Sequence, residues 1–250
     1  MLEGMRRPVI FAHRGDSAHA PENTMAAFRL AAAKGADAIE LDAKLSADGQ
    51  VIVFHDETLQ RTTDGAGRVR DKPALELQTL DAGWHFSEHF RGERIPLLSE
   101  VLEHLGNQLF INIELRNYWT PRDGLARAVC ELVKQHALEG SIMFSSFLAS
   151  NLKLARRILP GVPCGLIAMR GWPGLWARSF GFSFGDCEAL HPNVADTTSQ
   201  QVRRVHRLKR RIHVWTVNAR MQVQRLMDWG VDGIITDDPQ LVLEAAGRGT

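Results

Sequence analysis

Ile212-His-Val-Trp-Thr-Val217, Ala219 to Trp229, Gly230 and Gly233-Ile-Ile235 read as a strand, a helix, a stop and a second strand. The first run is β-branched and aromatic, which suits a pleated, half-buried surface. The segment after it spaces its apolar residues at helical period, and a glycine stands just past its end. A strand, a helix and a strand in that order return the chain parallel to itself through a right-handed crossover. The same unit recurs outward from this stretch. Short apolar runs lie at Val9–Ala12, Ala38–Leu41, Leu109–Ile113, Ser141–Phe144, Cys164–Ala168 and Glu188–Leu190. Helical periodicity fills Thr24–Lys34, Gly124–His136, Leu148–Ile158 and Ser199–Lys209 between them. A further run, Val51–Phe54, follows the second strand closely enough to be its hairpin-like extension, which leaves eight strands. Eight β/α units in 250 residues predict a single α/β domain over 1–250, a (β/α)8 TIM barrel. The alternative, a doubly wound open sheet, needs a Gly-rich phosphate turn after an early strand, and the sequence has none there.

Composition narrows the class further. The chain is 44% apolar and 24% charged with 21 Gly and 10 Pro, which excludes collagen, wholesale disorder and a membrane bundle. Thirty basic against twenty-nine acidic residues give a formal charge of +1, so nothing in the overall balance points to a polyanion, and no nucleic-acid partner is expected. No apolar run approaches the roughly 18 residues of a membrane span, so stable membrane insertion is not expected either. The N-terminus carries no signal-like apolar core, and Cys130, Cys164 and Cys187 lack metal-ligand or redox spacing. They read as buried thiols of a cytoplasmic protein. Residues 56–98 break the rhythm: rich in Asp, Gly, Arg and Thr, they predict a small functional insertion after the second strand.

Chemistry gathers where strands end. Val9 to Ala12 runs into His13-Arg14-Gly15, placing an imidazole and a guanidinium at the C-terminal rim, where barrel active sites are built. In Ala38-Ile-Glu40-Leu-Asp42 the carboxylates are two residues apart, so both point to one face while Ile39 and Leu41 point to the other. Leu109-Phe-Ile-Asn112-Ile-Glu114-Leu-Arg116 repeats the pattern. Buried carboxylates that close together need a cation or a proton between them. An all-oxygen set suits a divalent cation, Mg²⁺, Ca²⁺ or Mn²⁺, rather than Zn²⁺. His55, ending Val51-Ile-Val-Phe-His55, adds a second imidazole. Two imidazoles, three acids, Arg14 and Arg116 form a site for cleaving a phosphodiester.

These residues carry a resemblance. His13-Arg-Gly with Pro21-Glu-Asn-Thr24, Glu40-Leu-Asp42, Asp48-Gly and His55-Asp-Glu-Thr-Leu-Gln-Arg-Thr-Thr63 resemble the opening motifs of short, soluble bacterial glycerophosphodiester phosphodiesterases. Arg94-Ile-Pro-Leu-Leu-Ser-Glu-Val-Leu102, Ile111-Asn-Ile-Glu114, Trp215-Thr-Val-Asn218 and Gly230-Val-Asp-Gly-Ile-Ile-Thr-Asp237 follow in the expected order, over roughly residues 8–246. The resemblance implies a (β/α)8 barrel that hydrolyses glycerophosphodiesters to sn-glycerol 3-phosphate and an alcohol with a divalent cation. It implies Glu40, Asp42 and Glu114 as metal ligands, His13 and His55 as the acid/base pair, and Arg14 as a phosphate contact. The family usually has Lys where this chain has Arg116, which keeps the charge but changes reach and geometry. Whether water or the glycerol 2-hydroxyl attacks, and which imidazole is the acid, stay open, as does the oligomeric state.

Other positions carry two readings each. Ser145 and Ser146 touch substrate or cap the next helix. His191 lines the pocket or is structural. Trp215 forms a wall for the glycerol or fills core. Glu22, Asn23, Asp237 and Asp238 orient neighbours or cap helices. Arg170 to Phe184, with Trp172, Leu175, Trp176, Phe180, Phe182 and Phe184, is a helix packing its aromatics on the barrel or an apolar lip, joined by Tyr118 and Trp119, that favours lysophospholipids. A barrel that binds phosphorylated ligands without turnover should have lost one of the two histidines or three carboxylates, and all five are present.

Overall fold

The computed structural model describes residues 4–248; the remaining residues of the 1–250 domain reading lie outside the described ones. Eight parallel strands close into a barrel: β1 Val9–His13, β2 Ala38–Leu45, β4 Phe110–Leu115, β5 Ile142–Ser146, β6 Cys164–Ala168, β7 Ala189–Pro192, β8 Arg211–Val214 and β9 Gly233–Thr236. Closure comes from β1, which pairs with β9 on one side and β2 on the other. The remaining strand, β3 Val51–Val53, runs antiparallel to Ala43–Leu45. That hairpin explains why the second strand continues to Leu45 instead of ending at Leu41: the added length has a partner.

Helices α1 Met25–Ala33, α4 Leu125–Gln135, α5 Ala149–Ile158, α7 Ser199–Arg207 and α8 Arg220–Asp228 occupy the segments where periodicity placed them. Two further crossover helices lie outside the segments expected from sequence, α3 Leu98–Leu105 and α9 Pro239–Ala245. They have 8 and 7 residues, about two turns; α3 carries one apolar stripe, Leu98, Val101, Leu102 and Leu105, but begins where the irregular insertion ends. Local capping starts both. The Glu100 carboxylate accepts from the Leu97 N–H at 2.7 Å, and Asp238 accepts from the Leu241 N–H at 3.1 Å ahead of Pro239.

Strand parity sorts the core into two layers. Ile10, Ala12, Ile39, Leu41, Ile111, Ile113 and Phe144 face the helices in one large cluster. Val9, Phe11, Ala38, Phe110, Met143, Ala189 and Ile235 fill the barrel floor. Each fully buried aliphatic side chain contributes roughly 1.5–3 kcal/mol, so the parity of every strand is strongly enforced. The floor therefore dictates what lies above it: His13 continues the Val9 and Phe11 face, Glu40 and Asp42 the Ala38 face, and Glu114 the Phe110 face.

The insertion has its own small core of Ile52, Phe54, Leu59, Val69, Ala74, Leu77, Ala82 and Ile95. Its one α-helical turn is α2, Ala74–Leu77. Inserted chain that packs on itself is held firmly enough to position His55 and Asp56 at its root.

Candidate active site

Register brings the acids together. Glu40 lies beside Asn112 and Asp42 beside Glu114 on the paired strands β2 and β4. One carboxylate oxygen from each of Glu40, Asp42 and Glu114 falls within 4.8 Å of the others, and all three residues are buried. His13, opposite Glu40 in register, holds Nε2 3.9 Å from the Glu40 carboxylate. Glu40 and Glu114 of the cluster, His13 and His55 line one cavity of about 290 Å³, also lined by Arg14, Arg116 and Trp215, with Asp42 buried beside them. Of the residues singled out for the site, seven thus line this cavity, and Asp42 is buried against Arg14 and the other two acids.

Electrostatics in the cluster are uneven. Burial pushes the Glu40 carboxyl well above the usual carboxylate range, and the neighbouring Asp42 and Glu114 add to the rise. Burial raises Glu114 as well, with Asp42 next in effect. Burial also opposes ionisation of Asp42, but Arg14 and Arg116 outweigh it and hold that carboxyl low. Arg14 Nε lies 3.3 Å from Asp42, and Arg116 Nε lies 3.6 Å from it while its Nη1 lies 2.9 Å from Glu114. Three carboxylates against two guanidiniums leave a negative excess. The buried Asn112 Oδ1 and Ser145 Oγ in the same cavity have no hydrogen-bond partner among the described residues. An oxygen-only donor set with excess negative charge fits a hard divalent cation.

Each imidazole has a carboxylate behind it. His13 Nδ1 lies 2.6 Å from Asp237 Oδ1, and Asn218 Nδ2 and Ser17 Oγ donate to the same carboxylate. Burial raises the Asp237 carboxyl, but the hydrogen bonds, led by His13, outweigh it and hold the group low. His55 Nδ1 lies 2.5 Å from Asp56 Oδ1. Arg61 pairs with Asp56 and with Glu22, and Glu22 in turn pairs with Arg14. Burial lowers the His55 imidazole.

Residues 13–241 match the glycerophosphoryl diester phosphodiesterase family model. The chain belongs to that family. A glycerophosphodiester phosphodiesterase of Caldanaerobacter subterraneus is 36% identical over 97% of this chain and 99% of its own length. A phosphodiesterase of Oleispira antarctica, solved in complex with the product sn-glycerol-3-phosphate, superposes with a TM-score of 0.88 at 32% identity, covering 96% of this chain and 97% of that one. A glycerophosphodiester phosphodiesterase of Agrobacterium tumefaciens has a TM-score of 0.80 at 32% identity, covering 95% and 98%.

The ambiguous positions of this phosphodiesterase resolve individually. Ser145 faces the cavity, whereas Ser146 accepts from the Leu148 N–H at 3.2 Å and donates to the Leu115 carbonyl. Trp215 lines the cavity and donates its indole N–H to the His191 carbonyl at 2.8 Å. Asn23 donates to Asp42 at 2.8 Å, and Asp238 caps α9. Tyr118, read from sequence as lip, instead donates its hydroxyl to Glu114, and burial pushes its phenol well above the usual range. Only the spacing from Glu114 could have hinted at this. Cys130, Cys164 and Cys187 are buried free thiols, with burial pushing them to about 12, 12 and 11.

His191 and His213 form a buried pair beneath the cavity, with His213 Nδ1 3.1 Å from His191 Nε2. Burial drives His191 down to about 3 and His213 well below its usual 6.5. Both are neutral in the fold but accept protons in the unfolded chain near 6.5, so their contribution to stability is intact above that pH and is lost below it. Urea unfolding between pH 7 and 4 should show a slope that His213→Leu reduces by about one proton. An unchanged slope would exclude a neutral His213.

Proposed function

We propose that this chain hydrolyses glycerophosphodiesters to sn-glycerol 3-phosphate and an alcohol, dependent on a divalent cation, with His13 and His55 as the acid/base pair. The observation that carries this reading is one cavity set on a crowded three-carboxylate cluster and lined by two carboxylate-backed imidazoles and two guanidiniums. The product-bound Oleispira antarctica relative supports the substrate class. Glu40, Asp42 and Glu114 hold the cation, which when bound supplies charge neutralisation at the phosphoryl oxygens. Mg²⁺, Ca²⁺ and Mn²⁺ all accept such ligands.

The chain's own groups do the rest. Arg14 and Arg116 bind the phosphoryl oxygens from positions already fixed by their ion pairs to Asp42 and Glu114. Asp237 and Asp56 fix the ring orientation of His13 and His55, which keeps each Nε2 free to exchange a proton. One imidazole takes the proton of the attacking hydroxyl and the other protonates the departing alcohol. Trp215 walls the glycerol. A single barrel domain carries the reaction. The three buried thiols support a reducing, cytoplasmic setting, and no helix among the described residues is long and apolar enough to cross a membrane.

A second reading rests on the cavity wall. Phe147, Ile167 and Met169 give the same cavity an apolar lining, which suits an acyl chain and hence lysophospholipid hydrolysis. Glycerol 3-phosphate release from glycerophosphocholine, compared with phosphate-ester release from lysophosphatidylcholine, tests both. Faster turnover of glycerophosphocholine is expected. No release from either substrate with any of the three cations would overturn the assignment.

A further inference from the structure

The connection after β6 is apolar, exposed and structurally fixed. Met169, Trp172, Leu175, Trp176 and Phe180 are 50%, 86%, 48%, 58% and 67% exposed, all within twelve residues. Monomeric soluble proteins rarely present contiguous large apolar groups unless the surface binds something. Disorder does not account for the exposure, because a hydrogen-bond network holds the segment. Arg178 donates to the carbonyls of Met169 and Gly171 at 2.6 and 2.8 Å and pairs with Asp196 at 3.0 Å. The Gly171 N–H donates to the same Asp196 carboxylate at 2.6 Å. Below this network Phe182 is buried, with the Arg210 guanidinium 5.0 Å from its ring centroid. Gly181 permits the Trp176 indole to lie against the backbone, since a Cβ there would meet the ring at 2.6 Å. One anchored aromatic and one pinned loop thus hold the other aromatics outward.

Charge and position select the occupant. From Met169 to Gly185 the segment carries no acidic residue, and its outward cation is the exposed Arg170, since Arg178 is paired with Asp196. Arg204 of α7 donates to Ser183 at 2.8 Å, so the basic, exposed flank of that helix adjoins the segment. Trp119, 77% exposed, stands on the same rim after β4. Tryptophan and arginine on one face suit the headgroup level of an anionic bilayer, where the rings insert and the cations meet lipid phosphates. Pairing with a second copy through this patch would set like charges against each other across a twofold axis. The patch is also continuous with the catalytic cavity, because Met169 lines both.

We propose that this segment is a lipid-surface docking lip that seats the cavity mouth on an anionic membrane interface. The proposal goes beyond the hydrolytic reading and requires no turnover, so the two can fail separately. Sedimentation of the full chain with phosphatidylcholine vesicles containing phosphatidylglycerol tests it. Wild type is expected to co-sediment, less so at high salt, with a blue shift in tryptophan emission. Trp172→Ala combined with Trp176→Ala and Phe180→Ala should weaken vesicle binding by about tenfold or more while leaving release from soluble glycerophosphocholine unchanged. The single, highly exposed Trp172→Ala guards against misfolding and should give a smaller loss, and Arg170→Glu should weaken binding only to anionic vesicles. Equal binding of wild type and triple variant, or a wild-type dimer that the triple variant dissociates, would overturn the lip as a lipid-docking surface.

Discussion

His13→Ala and His55→Ala should each lower kcat for glycerol 3-phosphate release by about 10²–10⁴-fold, with much smaller changes in KM. Each imidazole lines the cavity and has its Nδ1 committed to a carboxylate, Asp237 for His13 and Asp56 for His55. Proton transfer at the reacting oxygens falls to Nε2, and alanine supplies nothing in its place. Because acid and base act on one displacement, the double variant should lose far less than the product of the single losses. Asp237→Asn should lower kcat by a comparable factor, up to about 10⁴-fold, since the amide cannot stabilise the protonated ring and can donate to Nδ1 and hold the wrong tautomer. Stopped assays on purified variants, with folding checked by circular dichroism, measure all of these. Retention of most of the wild-type kcat by either alanine variant would refute the assignment.

Chelation should abolish turnover, and Glu40→Gln should do the same while moving stability in the opposite direction. Metal binding to the native state stabilises by mass action, about 2.7 kcal/mol at a hundredfold excess over Kd. At about 2–4 °C per kcal/mol for a chain of this size, Tm should rise roughly 5–10 °C when cation is restored. Glu40 is buried beside Asp42 and Glu114, and without a cation its ionised form works against the fold. Glutamine keeps the shape and still accepts from the Arg14 N–H, which lies 3.1 Å from the carboxylate. The metal-free variant should therefore melt above metal-free wild type and respond less to added cation. Thermal melts with chelator and then with Mg²⁺, Ca²⁺ or Mn²⁺ read both effects. A variant less stable than wild type, with a full response to cation, would show that the three acids do not form a metal site.

Much of this site could be read from single strands. Period-two spacing put Glu40 and Asp42 on one face and repeated the device at Asn112 and Glu114, and a strand's alternation is a local property of its backbone. The barrel followed from the repeated β/α alternation for the same reason. The partners that complete the site are not local. Asp237 meets His13 across 224 residues because β9 closes on β1, and no spacing rule reaches that far. Ser145 and Ser146 are chemically alike, so only the strand's orientation in the closed barrel decided which enters the cavity.

The aromatic segment divides in the same way. Its composition alone announced apolar surface in search of a partner, because side-chain polarity is written residue by residue. Which rings are buried depended on what packs beneath them: Phe182 finds Arg210 and the helical layer, while Trp172 and Phe180 stay 86% and 67% exposed. Chain order and polarity thus set the strands, their inward faces and the identity of the reactive groups. Barrel closure, which joins residues that no local rule connects, decided how those groups are oriented, neutralised and exposed.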